Sequence, residues 1–295
     1  MIAGISAAVP SKIETIRDIH PDPERFSAAT GVIQRHVSTG QTTVDLCTAA
    51  ARQIMDALNW TDVDLLVTVT HTPDYYVPSP GHEIKRRLGL SNECIVLDLN
   101  AGCAGWVYGM YVMQNLTRGR VLLRGLLLVG DTLTRICDKN DMSTYPLFGD
   151  AGTATAVEGR QPMLFHLGSY GSDAIRVQKG LKEPEGSPYF HMNGPQVFNF
   201  ATKAVTECLN NLPTSDHYYL HQSNMMIIRH IEKRTGIKTT NSISEYGNTS
   251  AASIPLTMNL HPPKGTTFAC GYGSGLSWGA VRMHEYFMTP KIQVI

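Results

Sequence analysis

Cys103 stands in a run of small residues, Asn100-Ala101-Gly102-Cys103-Ala104-Gly105. An apolar run from Cys94 to Leu99 precedes it, and a helical pattern from Trp106 to Leu116 follows. The spacing predicts a strand, a tight turn carrying the thiol, and a helix. A cysteine on such a turn feels the positive end of the helix, which favours thiolate and so makes a nucleophile. A lone cysteine is usually inert packing. Here Gly102, Ala104 and Gly105 leave room for a substrate beside the sulfur. Two later segments add to it: His221-Gln222-Ser223-Asn224, and Gly247-Asn248-Thr249-Ser250-Ala251-Ala252-Ser253. His221 closes the apolar strand Tyr218-Tyr219-Leu220, where crevices open beyond strand ends. Asn248 precedes a helix containing Pro255.

Cys, His and Asn in this order and setting suit thioester chemistry. An acyl group held on Cys103 needs a carbon nucleophile, and decarboxylation of a malonyl thioester supplies an enolate. Two neutral donors, imidazole Nε2–H of His221 and the amide of Asn248, stabilise the enolate oxygen without a metal or cofactor. The oxyanion on the acyl carbonyl needs backbone N–H groups. Cys103 and the loop Gly271-Tyr272-Gly273-Ser274-Gly275 can supply them, with Ser274 the loop donor. A papain-like protease uses the same three residue types, but its local pattern is absent and its Asn orients the His.

The elements that must position these groups echo one another. A helix Thr43 to Leu58, a strand Asp64 to Thr70 and a helix His82 to Leu88 match a helix Gln196 to Leu212, a strand His217 to Leu220 and a helix Asn224 to Thr235. Gly89 and Gly236 are candidate C-caps of the second helix in each set. Val121 to Gly130 and Thr266 to Gly271 are matching late strands, with hairpin partners Ala151 to Glu158 and Leu276 to Met283. Two βαβαβαββ halves, residues 1–160 carrying the cysteine and 161–295 carrying His and Asn, account for this pattern. Such alternation builds an α/β protein of mixed sheets covered by helices.

Composition narrows the functional classes. The 25 basic and 25 acidic residues balance, so nothing favours nucleic acid, and docking of an acidic partner requires a local patch. The six cysteines, at 47, 94, 103, 137, 208 and 270, form no CxxC pair, which argues against zinc and for reduced thiols in a cytoplasm. The N-terminal stretch Met1-Ile2-Ala3-Gly4-Ile5 lacks the basic region of a signal peptide, and the apolar run around 125–130 is too short to cross a bilayer.

At these residues the chain resembles the β-ketoacyl-acyl-carrier-protein synthase III family, the thiolase-fold condensing enzymes, almost end to end. Beside the segments above stand Phe148-Gly149-Asp150-Ala151-Gly152 and Gly273-Ser274-Gly275-Leu276-Ser277-Trp278-Gly279. Thr30-Gly31-Val32-Ile33-Gln34-Arg35-His36 and Met192-Asn193-Gly194-Pro195-Gln196-Val197-Phe198 are similar to two further family segments. The resemblance implies a five-layered αβαβα arrangement in a homodimer, with an acyl-CoA or acyl-carrier-protein thioester as donor, acyl carrier protein as partner and no cofactor. Cys103 is then the acylated nucleophile, and His221 and Asn248 are the enolate donors. Gly194, Phe198, Val77 and Asn224 become substrate-binding positions. The loop Tyr75-Tyr76-Val77-Pro78 would lie near the dimer interface and wall the partner's acyl pocket.

The departures from the family pattern concern donor recognition. Arg25 and Met142 stand where a tryptophan and an arginine commonly hold the adenine of coenzyme A, and Ala29 replaces an arginine. Pro195 replaces a pantetheine-contacting asparagine, and Met226 an arginine that helps dock the carrier, although Lys233 and Arg234 remain. Proline offers no N–H donor, and methionine no guanidinium. Ser274 stands where a glycine is usual and keeps its backbone N–H. The expectation is intact core chemistry with rebuilt donor recognition, in a specialised pathway such as polyketide or other secondary metabolism. Three alternatives stand beside it. One transfers the acyl group from Cys103 to oxygen or nitrogen with His221 as general base. Another is a non-catalytic partner subunit of a heteromeric synthase. The third is a biosynthetic thiolase, for which Cys270 has the wrong spacing to the glycine loop. Tyr75, Tyr76 and Phe148 read as packing, Trp106 and Trp278 as braces, Asp150 as a turn residue, His82 as a cap, and Lys233 and Arg234 as a solvated helix face.

Overall fold

Leu65-Leu66-Val67 and Leu126-Leu127-Leu128-Val129 are apolar at every position, as strands covered on both faces must be. In the computed structural model, which describes residues 2–116, 124–159, 162–180, 182–285 and 287–295, that is their situation. Leu65, Val67, Leu127 and Val129 face an inner core, while Leu66, Leu126 and Leu128 face an outer one. The first sheet runs Gln293–Val294, Ile2–Val9, Ala151–Glu158, Arg124–Asp131, Leu65–Val69, Ile95–Leu99. Its last three strands are parallel, and Ala151–Glu158 is antiparallel to both of its long neighbours. The second sheet runs His217–Leu220, Gly265–Gly273, Ser277–Glu285, Leu164–Ser169.

The helices Gly105–Leu116 and Ser253–Leu260 lie between the two sheets. Trp106, Val107, Met110 and Met113 from one and Ile254 and Met258 from the other pack with strand residues of both sheets, such as Val67 and Ala269. Thr43–Leu58 covers the outer face of the first sheet. Gly194–Asn211 and Met225–Thr235 cover that of the second, through Val205, Cys208 and Ile231 against Leu220, Phe268 and Cys270. The result is the five-layered αβαβα thiolase-like fold.

Helix boundaries follow local chemistry. Gly105 opens the central helix one residue before the expected Trp106, its N–H donating to Gly102 O at 2.5 Å. The helix expected from Gln196 starts at Gly194, because Asn193 Oδ1 accepts from Gln196 N–H and Pro195 fits the first turn. Asn224 is an N-cap, its Oδ1 accepting from Ile227 N–H at 2.9 Å. Pro80–Leu88 likewise begins before His82, whose Nδ1 lies 2.9 Å from Ser79 Oγ. Gly89 and Gly236 cap their helices at φ 69° and 78°.

The second half departs from the expected strand count. Where the first half has Ile95–Leu99, the second has, among the described residues, an irregular segment, 238–242, tied by Thr240 N–H to Tyr218 O at 3.0 Å. Residues 121–123 of the strand expected from Val121, and the boundary placed between residues 160 and 161, lie outside the described residues.

Trp106 braces the helix that follows Cys103. It is wholly buried, and its indole N–H donates to Thr155 Oγ1 at 3.0 Å, across the layer boundary. Trp106→Ala is expected to cost about 3–5 kcal/mol of stability. Chemical denaturation followed by circular dichroism checks this, and a loss below about 1 kcal/mol would show that the indole is not a structural brace.

Candidate active site

Cys103 is delivered by the turn after Ile95–Leu99, and glycines let a strand of the other sheet meet that turn. A Cβ on Gly271 would lie 2.6 Å from Cys103 O, and one on Gly273 would lie 2.7 Å from Cys103 Cβ and 3.0 Å from Sγ. The same strand positions the histidine, since His221 N–H donates to Cys270 O at 2.9 Å. Asn248 is clamped from the first half: its N–H donates to Leu147 O at 2.9 Å, and its carbonyl accepts from Gly149 N–H at 3.1 Å.

Two buried side chains hold these supports in place. Arg35, fully buried, donates from Nη1 to Phe148 O at 2.9 Å and to Tyr145 O, and from Nη2 to Glu14 Oε2 at 2.7 Å. It thereby fixes the Phe148-Gly149 backbone that clamps Asn248. Asp150 accepts from the N–H groups of Ser38 and Thr134 and the Thr134 hydroxyl. Burial nevertheless pushes its carboxyl up to about 6, against those donors.

Cys103, His221 and Asn248 line one cavity of about 40 Å³, with Phe148, Tyr272 and Ile227 among its apolar and aromatic walls. Asn248 Oδ1 accepts from Ser250 N–H at 2.9 Å, which orients the amide so that Nδ2 carries the donor function. That nitrogen reaches Ser223 O at 3.4 Å with one hydrogen, leaving the other available. His221 Nδ1 lies 2.8 Å from Ser253 Oγ, which already accepts from Gln222 N–H at 3.2 Å. Burial lowers the imidazole to about 3, with the Ser250 backbone opposing, so His221 is neutral near pH 7.

The sulfur behaves differently from the expectation set by the helix terminus. Burial pushes the Cys103 thiol up to about 12, and the Ser250 hydroxyl, 3.9 Å from Sγ, and the residue's own amide offset this only in part. Burial also raises the Tyr272 phenol. The thiol and the imidazole are thus both neutral at rest near pH 7.

Of the four expected substrate-binding positions, Gly194 and Asn224 line the cavity and two do not. Phe198 points away, its ring 5.1 Å from that of His230, and the preceding Val197 lines the cavity instead. Val77 is 85% exposed, as are Tyr75 and Tyr76 at 67% and 92%, so this loop does not pack within the chain. Phe148 is a wall of the site rather than mere packing. Ser250 and Ser253 of the Asn248 segment are not singled out by the sequence, yet the Ser250 hydroxyl lies 3.9 Å from Cys103 Sγ and the Ser253 hydroxyl 2.8 Å from His221 Nδ1. No cluster of three metal-ligating side chains occurs among the described residues.

Known proteins match this chain along most of its length. The family model for 3-oxoacyl-(acyl-carrier-protein) synthase III matches residues 97–171, and the model of its C-terminal part matches 214–284. The β-ketoacyl-(acyl-carrier-protein) synthase III of Levilactobacillus brevis is 36% identical over 285 residues, 85% of this chain and 87% of the relative. That of Neisseria meningitidis is 31% identical over 312 residues, 95% of this chain and 97% of the relative. The crystal structure of the 3-oxoacyl-(acyl-carrier-protein) synthase from Burkholderia xenovorans LB400 superposes with a TM-score of 0.91 at 28% identity, covering 99% of this chain and 96% of that one.

A thiol raised to about 12 stays mostly protonated through pH 9, so its thiolate fraction grows about tenfold per pH unit. Iodoacetamide labelling of Cys103, read by peptide mass spectrometry, should therefore accelerate steadily from pH 7 to 10. A plateau near pH 8 would mean that the helix terminus outweighs burial.

Proposed function

The chain belongs to the β-ketoacyl-acyl-carrier-protein synthase III family of condensing acyltransferases, and from that premise we propose that Cys103, His221 and Asn248 carry its chemistry. The observation that carries the reading is that all three line one small cavity. In the first half-reaction the Cys103 sulfur attacks the carbonyl of an acyl thioester. An S–C bond forms, the donor's S–C bond breaks, and the thiol proton leaves with the donor thiol. Backbone N–H groups of Cys103 and Ser274 serve the tetrahedral oxyanion.

In the second half-reaction a malonyl thioester loses CO2, and the electron pair of the broken C–C bond enters an enolate. His221 Nε2–H and Asn248 Nδ2–H stabilise the enolate oxygen. The Ser253 hydroxyl, already an acceptor from Gln222, donates a hydrogen bond to an unprotonated Nδ1, which puts the ring proton on Nε2. The new carbanion attacks the acyl-Cys103 carbonyl, a C–C bond forms, and the Cys103 thiolate departs and regains a proton. An imidazole lowered to about 3 is a poor base, which favours this donor role over deprotonation of an alcohol or amine acceptor.

Recognition of the donor is read as rebuilt. Arg25 and Pro195 are exposed and Met226 is 55% exposed, so the surface lacks the aromatic, amide and guanidinium groups expected there. A carrier-protein thioester or an unusual coenzyme A ester, in a specialised cytoplasmic pathway, fits that surface. The exposed Lys233 and Arg234 are the cations available to an acidic carrier. A homodimer is supported by the exposed Tyr75-Tyr76-Val77 loop and by Ile95–Leu99, which ends its sheet as an open edge with Ile95 40% exposed. The two-half division of the chain, with the thiol in one half and the donors in the other, belongs to the same reading. No helix among the described residues is long and apolar enough to cross a membrane.

Intact-protein mass after incubation with acyl-CoA and acyl-carrier-protein thioesters tests the reading. One acyl adduct per chain, lost in Cys103→Ala, is the expected result. A folded protein that accepts no acyl group from any donor, or that keeps the adduct in Cys103→Ala, would overturn it.

A further inference from the structure

The cavity beside Cys103, about 40 Å³, is far smaller than its neighbour. A second cavity, of about 840 Å³, shares the walls Ile175 and Phe190 with the first. It reaches the catalytic turn from the other side, where Asn100, Ala101, Ser274 and Gly275 line it. Cys103 itself does not line this larger space, which meets its turn through Asn100 and Ala101.

The part of the larger cavity nearest the nucleophile is polar. His71 is half-buried, and its backbone N–H is fixed to the buried Asp131 Oδ1 at 2.7 Å. Its ring faces Gly102, the residue before the nucleophile. A Cβ on Gly102 would lie 2.6 Å from His71 Cε1, 2.9 Å from Nδ1 and 2.6 Å from Ser274 Oγ. The two side chains therefore pack directly against residue 102, which only a glycine allows, and both line the larger cavity. Their mutual contact, Ser274 Oγ to His71 Nε2, is 3.5 Å, at the loose limit of hydrogen bonding. Among the described residues the imidazole has no shorter hydrogen-bond partner.

We propose that His71 and Ser274 form a polar reading site that selects an acyl group bearing a hydroxyl or oxo oxygen within a few bonds of the thioester carbonyl. The inference rests on the reading of Cys103 as the acylated residue. A plain alkyl chain laid across this pair would strip water from an imidazole and a hydroxyl and return no hydrogen bond, which is costly. An oxygen on the chain bridges the two groups: the Ser274 hydroxyl and the imidazole, each donor or acceptor by rotation or tautomer, match either a hydroxyl or an oxo group. Sites built to hydrogen-bond a substrate oxygen discriminate strongly against the analogue lacking it. Ser274 thus has a separate task for its side chain beside that of its backbone N–H.

The test measures the rate of Cys103 acylation by intact mass with 3-hydroxybutyryl and butyryl groups, each presented on coenzyme A and on acyl carrier protein. The native protein should favour 3-hydroxybutyryl by about tenfold or more on whichever carrier it accepts. In His71→Leu and in Ser274→Gly, which keeps the backbone N–H, the ratio should fall toward one. Using a ratio within each variant removes general losses of activity or folding yield. Acylation without preference in the native protein, preference for butyryl, or a preference unchanged in both variants would overturn the proposal. Failure of every thioester to label Cys103 overturns the acyl-enzyme reading itself and this inference with it, and it is distinguishable from labelling without preference.

Discussion

The approach of two backbones at the Cys103 turn governs this architecture. Gly271 and Gly273 lie so close to Cys103 and Ala104 that a Cβ at either would fall at 2.6–2.7 Å from backbone or Cβ atoms of the turn. Real Cβ atoms do not tolerate such contacts, so only glycine lets the strand Gly265–Gly273 pass the turn. That one strand belongs to the second sheet, carries His221 on its parallel neighbour and brushes Cys103 of the first. The thiol and the imidazole are thus placed by a single rigid element. Asn248 is placed by another, the Leu147–Gly149 backbone that Arg35 holds from within the core.

Burial then sets the electrostatics. The thiol is pushed up and the imidazole down, so neither carries charge at rest near pH 7. Charge appears only as bonds to substrate form and break, in surroundings where a fixed N–H donor acts with little competing solvent. A neutral His221 beside a correctly turned Asn248 offers two donors and no strong base. Such a pair suits an enolate better than it suits proton abstraction.

Much of this was legible in the chain because the informative signals are local. The small-residue turn around Cys103, the strand ending in His221 and the loop around Asn248 each announce themselves within about ten residues. What failed depends on tertiary contacts. Phe198 and Val197 differ by one step, about 100° around a helix, and only packing against His230 decides which of them faces the site. The sulfur's environment could not be inferred from the helix terminus, because desolvation comes from residues distant in sequence. Tyr75 and Tyr76, read as packing, stand in solvent in the single chain, as does Val77. The His71–Ser274 pair spans 203 positions and has no motif of its own.

The central claim is that Asn248 and His221 act on the enolate and not on acylation of Cys103. It is tested most directly by comparing the two half-reactions in Asn248→Ala: acyl loading by intact mass, and release of labelled CO2 from a malonyl thioester. Loading should persist near the native rate while decarboxylation falls by about a hundredfold to a thousandfold, the usual loss for one oxyanion donor. Equal loss of both half-reactions in a folded variant, or native decarboxylation without the amide, would contradict the account.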